Sequence, residues 1–470
     1  MSKIKFGTDG WRGIIARDFT FDNVRLVSQA VADYVNSLGI AERGLVIGYD
    51  NRFLSDKFAE AAAETMAENG IPVYMTETFT PTPLTAFAIK ECRTAGAVML
   101  TASHNPPEYN GIKFIPEYAG PALPYITEKI EKNIRSLETS EKMNPENKSR
   151  AEIKKINPFP AYKKHLAEII DFDIIRRAGL KVVIDPMFGC GIGYLEAILR
   201  EAGVQPEVIH NNRDPLFGGG MPEPSQKLLV EMKDRVLAGK ANLGLALDGD
   251  ADRFGIIDSN GEFITPNMFL PILYYHLLAV RQWRGPVART VATTHLLDHM
   301  ARHYNLEVEE TSVGFKYIGQ CLMEKDAVLG GEESGGLSIK GHIPEKDGIL
   351  ATMLAAEIVA HHGLSLTQMM EKITDLFGKL YSERLDIKTS PAEKERIMDM
   401  LGKLAPDNLA GQKITGKVTV DGLKLVLESG AWVLIRPSGT EPLFRVYVEA
   451  NSIEEMRKLQ AEIKGVLGLD

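Results

Sequence analysis

Short runs of aliphatic and β-branched residues alternate along the chain with segments whose apolar positions recur at helical spacing. Residues 45–49, 72–75 and 96–100 read as strands, with helices over 55–69 and 84–90 between them. The last of these strands runs straight into Thr101-Ala102-Ser103-His104-Asn105-Pro106. The same order returns twice. Residues 181–184 open a second unit, a helix follows Gly193, and the strand over 243–247 runs into Asp248-Gly249-Asp250-Ala251-Asp252-Arg253. Residues 290–294 open a third, a helix follows Gly314, and the strand over 327–329 leads to Gly331-Glu332-Glu333-Ser334-Gly335-Gly336. Alternation of this kind predicts α/β units with largely parallel strands. Each polar motif then lies at the carboxyl edge of a sheet, where open α/β sheets bind ligands.

The fourth segment has a different rhythm. Residues 417–420, 423–428, 431–435 and 444–449 read as an antiparallel meander, flanked by helices over 392–404 and 453–467, which predicts a small α+β domain. Its strand over 432–435 stops at Arg436-Pro437-Ser438-Gly439-Thr440-Glu441-Pro442. A polar stretch over 138–155 reads as a linker, and a weaker one lies near 376–382. The expected division is four domains, over 1–150, 151–257, 258–372 and 373–470.

A length of 470 residues, with 44% hydrophobic and 25% charged, suits a globular chain of several domains. The 54 basic and 63 acidic residues leave a formal charge of −9, which argues against nucleic-acid or anionic-membrane partners. It does not disfavour a small anionic substrate met by a local cluster of basic groups. Cys92, Cys190 and Cys321 are far apart and odd in number, which fits free thiols in a reducing compartment. The opening Met1-Ser2-Lys3 leads into folded-looking chain without an apolar signal region, and the apolar run over 269–280 is too short to span a bilayer and contains His276. These features predict a cytoplasmic protein. Asn147-Lys148-Ser149 then reads as a chance glycosylation triplet.

Asp248, Asp250 and Asp252 alternate along an extended loop, so their carboxylates can converge on one hard cation. An EF-hand is excluded, because Arg253 and Ser259 stand where that loop needs Gly and Glu. Ser103 allows three readings: a hydrolase nucleophile with His104 as base, a phosphoryl carrier, or a hydroxyl that shapes a turn before Asn-Pro. Its motif alone does not choose among them. Lys113 is either a solvated surface lysine or, with a lowered pKa, a general acid or base. Arg436, Ser438, Gly439 and Thr440 have the makings of a phosphate clamp. The glycines of Phe188-Gly189-Cys190-Gly191-Ile192-Gly193 lack dinucleotide spacing and read as a tight strand-to-helix turn.

These motifs, in this order and with Gly7-Thr8-Asp9-Gly10-Trp11-Arg12-Gly13 as a fifth, resemble the α-D-phosphohexomutase family over nearly the whole chain. The resemblance implies three related α/β sheet domains plus a smaller C-terminal α+β domain around a central cleft. It implies a phosphoserine at Ser103, one Mg²⁺ per chain held by Asp248, Asp250, Asp252 and the Ser103 phosphoryl group, and a hexose 1,6-bisphosphate as intermediate and activator. Arg12, His104, Lys113 and Arg253 match positions around the transferring group, with Lys113 the one usually assigned acid–base work. Lys316, Glu332 and Ser334 match sugar contacts, and Arg436, Ser438, Gly439 and Thr440 match the clamp for the other phosphate. The partners implied are small sugar phosphates, with the chain a monomer or homodimer.

The third loop is similar to the Glu-Glu-Ser loops of phosphoglucomutases. It departs from the Met-Ser-Gly-His and Gln-Ser-Gly-His forms, since Gly336 stands where those have histidine. The expected reaction is therefore interconversion of glucose 1-phosphate and glucose 6-phosphate. Phosphomannomutase and phosphoglucosamine mutase are the alternatives, and a metal-dependent serine hydrolase and a non-catalytic phosphosugar-binding protein are the rivals from other classes.

Overall fold

The computed structural model describes residues 4–7, 9–139, 149–403, 407–437 and 443–468. The chain forms two compact units: one runs to Thr265 and takes in Leu322–Glu324 and Ser334–Thr367, the other holds Pro266–Cys321, Lys325–Glu333 and the chain from Gln368 onward.

In the first unit, one sheet has the order Trp11–Ile14, Tyr109–Pro116, Gly96–Leu100, Leu45–Tyr49, Val73–Thr76, Ile153–Ile156. From Gly96–Leu100 onward the neighbours are parallel, whereas the first three strands are antiparallel. A second sheet has the order Phe263–Ile264, Phe254–Asp258, Leu243–Leu247, Val182–Asp185, Glu207–Val208, again parallel on one side and antiparallel on the other. The sheets are thus mixed where largely parallel strands were expected. The cause is common to both: an inner parallel strand ends in a polar loop, and the chain turns straight back beside it. Residues 101–108 and 248–253 are those two loops.

Helices cover the sheets through small apolar faces. Ser55–Glu68 buries Phe58, Ala59, Ala62, Ala63 and Met66, a helical repeat whose alanines allow close approach. Phe21–Ser37 is capped by Thr20, whose hydroxyl accepts from Asn23 N, and buries Val24, Val27, Val31 and Val35. Gly348–His362 is apolar on every side and packs against Leu243–Leu247 and Phe254–Asp258. Its cap residue Asp347 accepts from Leu350 N at 2.9 Å, from Tyr162 Oη at 2.6 Å and from His342 Nε2 at 2.9 Å. Gly348 N donates to Ala251 O at 3.1 Å, and a Cβ on Gly348 would lie 2.3 Å from Arg253 O. Only glycine lets this helix start against the aspartate loop.

In the second unit, Val308–Thr311, Val287–Thr290 and Leu329–Gly331 lie side by side in that order, all parallel. The strand expected over 290–294 is Val287–Thr290. Arg289 breaks the apolar run in the sequence, yet it is buried, with Asp298 at 2.6 and 2.7 Å and Glu310 at 2.9 Å neutralising it. The C-terminal sheet is antiparallel throughout, in the order Tyr381–Lys388, Leu443–Ala450, Trp432–Pro437, Leu423–Leu427, Gln412–Val418, Asn408–Leu409. Its first strand was not anticipated. Tyr381–Lys388 alternates between half-buried and exposed positions and carries Glu383, Arg384 and Asp386, so it lacks an apolar run. The stretch read as a linker also contains structure, because Ile153–Ile156 adds an edge strand to the first sheet. Cys92, Cys190 and Cys321 are free, and no single helix among the described residues is long and apolar enough to cross a membrane.

The cap of Gly348–His362 can be tested by Tyr162→Phe, which removes one buried hydrogen bond to Asp347. Urea unfolding should show a loss of about 1–2 kcal/mol. An unchanged midpoint would mean that this bond does not hold the helix start.

Candidate active site

The first unit gathers Arg12, Ser103, His104, Lys113, Asp248, Asp250, Asp252 and Arg253. Arg12 and Lys113 project from the neighbouring strands Trp11–Ile14 and Tyr109–Pro116. Ser103 sits in the loop after Gly96–Leu100, with its φ at 52° and its amide donating to Thr101 Oγ1 at 2.8 Å. The aspartates occupy the turn after Leu243–Leu247 and are completely buried. Gly249 lets this turn reach the serine loop, since a Cβ there would lie 2.5 Å from Ser103 O.

The three carboxylates each offer an oxygen within 4.8 Å of the others. Asp248 accepts from Ser103 Oγ at 3.1 Å and from Arg253 N at 2.9 Å. Asp250 Oδ2 accepts from Thr82 Oγ1 at 2.7 Å and Lys113 Nζ at 2.8 Å. Asp252 Oδ2 faces Lys113 Nζ at 3.2 Å and Lys346 Nζ at 3.3 Å. Asp250 Oδ1 and Asp252 Oδ1 are buried without a hydrogen-bond partner among the described residues. Buried carboxylate oxygens are almost always satisfied. Two such oxygens beside a third carboxylate fit a hard divalent cation that takes oxygen ligands.

The electrostatics follow from burial and proximity. Burial, reinforced by Asp250 and Asp252, pushes the Asp248 carboxyl well above the usual range. Burial acts the same way on Asp250, but the ammonium of Lys113, the Thr82 hydroxyl and Lys346 outweigh it and hold that carboxyl below its ordinary value. Burial opposes the charge on Lys113, and Asp250 and Asp252 overcome it, so its pKa is raised. The lowered value that general-base duty would need is therefore not found in this geometry. Arg253, with burial and Arg12, keeps His104 well below its ordinary value. His104 Nδ1 lies 3.3 Å from Ser103 Oγ, so the adjacent histidine does reach the serine. The Arg12 guanidinium is hydrogen-bonded to Asn105 Oδ1.

Some groups at this site were not singled out in the sequence. Lys346 Nζ donates to Asp9 at 3.1 Å, and Glu345, pushed up to about 7 by burial, lies 3.4 Å from it. Pro344-Glu345-Lys346-Asp347 reads as the charged start of a helix, and nothing local says that Lys346 turns inward. Thr82 begins the helix Thr82–Cys92, and its hydroxyl reads locally as a cap.

The remaining predicted residues are placed elsewhere. Glu332 is buried in the second unit, where its carboxylate accepts from Gly314 N at 2.9 Å. Lys316 follows on Phe315–Glu324, half-buried, with Nζ 5.4 Å from the Tyr317 ring centre. Arg436 donates through Nε to Asp421 at 2.7 Å, and Asp421 also accepts from Val313 N at 3.1 Å. Asp421 was not anticipated, and it ties the arginine of the expected clamp to the segment that leads to Lys316. Ser334 is half-buried in the first unit. Ser438, Gly439 and Thr440 lie outside the described residues.

Known proteins carry the same organisation. The phosphoglucomutase/phosphomannomutase models for alpha/beta/alpha domains I, II and III match residues 3–141, 160–261 and 265–377, and that for the C-terminal domain matches 386–466. A phosphoglucomutase of Komagataeibacter xylinus is 30% identical, over 99% of this chain and 91% of that protein. A phosphoglucosamine/phosphogalactosamine mutase of Sulfurisphaera tokodaii is 28% identical, over 98% of each. A phosphoglucomutase/phosphomannomutase family protein from Burkholderia thailandensis shares the fold with a TM-score of 0.86 at 22% identity, covering 99% of this chain and 97% of that one. Four matched domains and a full-length relative lead to one conclusion: the chain belongs to the phosphoglucomutase/phosphomannomutase family of α-D-phosphohexomutases.

Proposed function

We propose that the chain interconverts hexose 1-phosphate and hexose 6-phosphate through a phosphoseryl Ser103 and a hexose 1,6-bisphosphate, with glucose as the preferred sugar. The observation that carries the proposal is Ser103 Oγ at 3.1 Å from Asp248, beside two buried carboxylate oxygens that have no hydrogen-bond partner among the described residues.

In the forward step the bond from phosphorus to Ser103 Oγ breaks as the free sugar hydroxyl forms its own bond to phosphorus; the hydroxyl proton passes to a base, and the leaving Ser103 oxygen takes up a proton to become the free serine hydroxyl. The bisphosphate turns end for end, and its other phosphoryl group returns to Ser103. Such transfer needs positioning and charge stabilisation more than covalent chemistry. Arg12, Arg253 and Lys113 supply positive charge around the serine, His104 is the group available to accept the proton, and the charged Lys113 is available as a proton donor. Asp248, Asp250 and Asp252 would hold one Mg²⁺ with a phosphoryl oxygen on Ser103. Bound there, the cation would neutralise charge on the transferring group. Lys316, Glu332 and Ser334 are assigned to the sugar, and Arg436 with Ser438, Gly439 and Thr440 to the phosphate that is not reacting. The Asp421 carboxylate on Arg436 Nε leaves the Nη groups of that guanidinium to fork onto such a phosphate. Free Cys92, Cys190 and Cys321 suit a reducing, cytoplasmic setting.

Glucose is favoured by the Glu332-Glu333-Ser334-Gly335-Gly336 loop. Glu333 accepts from Tyr447 Oη at 3.2 Å and from Thr290 Oγ1 at 3.3 Å, so it is engaged within the second unit.

Intact-mass spectrometry before and after incubation with a hexose bisphosphate should show the mass of one phosphoryl group, mapping to Ser103 on digestion. No adduct at Ser103 under any of these conditions would end the proposal. Asp250→Asn should lower turnover by about 10²-fold or more, since a metal contributes several kcal/mol at about 1.4 kcal/mol per tenfold. Unaltered turnover would remove the aspartate loop from the chemistry. Comparison of kcat/KM for glucose, mannose and glucosamine 1-phosphates should favour glucose. A preference for glucosamine would overturn the reading of the third loop and leave the mutase intact.

A further inference from the structure

Ser103 lies on a loop that regular secondary structure does not shape. Residues 101–108 join Gly96–Leu100 to Tyr109–Pro116, and Ser103 adopts the left-handed conformation there without being glycine. The backbone supplies Asn105 N to Ala102 O at 3.1 Å and Tyr109 N to Pro106 O at 3.1 Å. Four carbonyls in and beside this loop converge on a single side chain from another strand end. Arg52 Nη2 donates to Ser103 O at 2.6 Å and Asn105 O at 2.6 Å, and Nη1 donates to Pro106 O at 2.8 Å and Tyr109 O at 3.0 Å.

The arginine is itself held on every side. It is 0% exposed, Asp50 Oδ2 lies 3.2 Å from its Nε, and the Phe217 ring covers its guanidinium at 4.8 Å. Its neighbour Asn51 donates to Phe188 O, in the glycine turn after Val182–Asp185. A guanidinium presents a planar array of donors, whereas an ammonium radiates three from one atom. Only the former can serve four carbonyls spread over seven residues of loop.

We propose that Arg52 is a positioning residue for phosphoryl transfer: by holding the carbonyls of Ser103, Asn105, Pro106 and Tyr109 it keeps Ser103 Oγ against the aspartates without itself touching the reacting atoms. Asn105 carries the effect further, because its side chain accepts from Arg12. The inference rests on the phosphoserine reading above. It goes beyond a purely structural role, because a loosened loop should slow the reacting step and leave sugar binding alone.

The test uses the full chain with Arg52→Lys and Asp50→Asn, assayed well below their unfolding midpoints with the hexose 1-phosphate that the wild type turns over. Arg52→Lys should lose kcat on the order of 10²-fold, as expected for a misplaced reacting group, with KM unchanged. The ³¹P resonance of its phosphoserine should broaden or shift. Asp50→Asn, which keeps the guanidinium but removes its counter-charge, should lose about tenfold in kcat in the same pattern. An Arg52→Lys enzyme with wild-type kcat, or one that loses only KM, overturns the inference. If Arg52→Lys is not recovered folded, Asp50→Asn decides: a kcat loss at constant KM supports the role, and wild-type kcat refutes it. Failure of the underlying reading shows separately, as a wild type that neither phosphorylates Ser103 nor turns over hexose phosphate.

Discussion

Three buried aspartates on one short loop are tolerable only if positive charge reaches them from outside that loop. This constraint organises the first unit. Asp248, Asp250 and Asp252 are completely buried, and Lys113 and Lys346 arrive from two other parts of the chain to face them. Lys346 is in turn shared with Asp9 near the amino terminus. Buried ionic clusters cost desolvation energy and are costly to break one partner at a time. Segments more than ninety residues apart in the chain are therefore joined at one point. Among the described residues the cluster also leaves two carboxylate oxygens without a hydrogen bond, which is incomplete as a structural network and suited to a cation.

The two loops that meet at this point are built alike. Each follows an inner parallel strand and returns along an antiparallel one, so each presents its polar residues at the same edge of its own sheet. Such loops have too few internal backbone bonds to be rigid alone. Arg52 supplies the missing donors to the serine loop, and the start of Gly348–His362 is hooked to Ala251 of the aspartate loop. Glycines at 249 and 348 permit these approaches where any Cβ would collide with a carbonyl.

In the second unit the same economy recurs with different partners. Lys424 is fully buried, donating to Val291 O at 2.9 Å and Glu310 at 3.1 Å with the Trp432 ring 4.4 Å away, and burial brings its pKa down to about 8. Asp421 orients Arg436 and braces Val313, so the basic residue assigned to a phosphate is held before any ligand arrives. A donor held in place in advance loses less conformational freedom when an anion binds.

The alternation of apolar runs and helical segments was enough to read the α/β units, the separate C-terminal domain, and the positions of Ser103 and the aspartate loop. Those features are local: a strand, a turn and the residues next to it are decided by neighbours in the chain. Strand limits failed where burial was decided elsewhere. Arg289 looked like a break and is core because Asp298 and Glu310 neutralise it, and the charged edge strand Tyr381–Lys388 exists because Leu443–Ala450 offers it a partner. The site divides in the same way. The polar loops around Ser103 and the three aspartates were legible from motif and spacing, and the fold brings them together, whereas Arg52, Thr82, Lys346 and Asp421 were not singled out. A lone Arg, Thr, Lys or Asp in a loop or at a helix start reads as solvated or capping. Only the folded chain shows which carbonyl or carboxylate, tens to hundreds of residues away, has taken its hydrogen bonds.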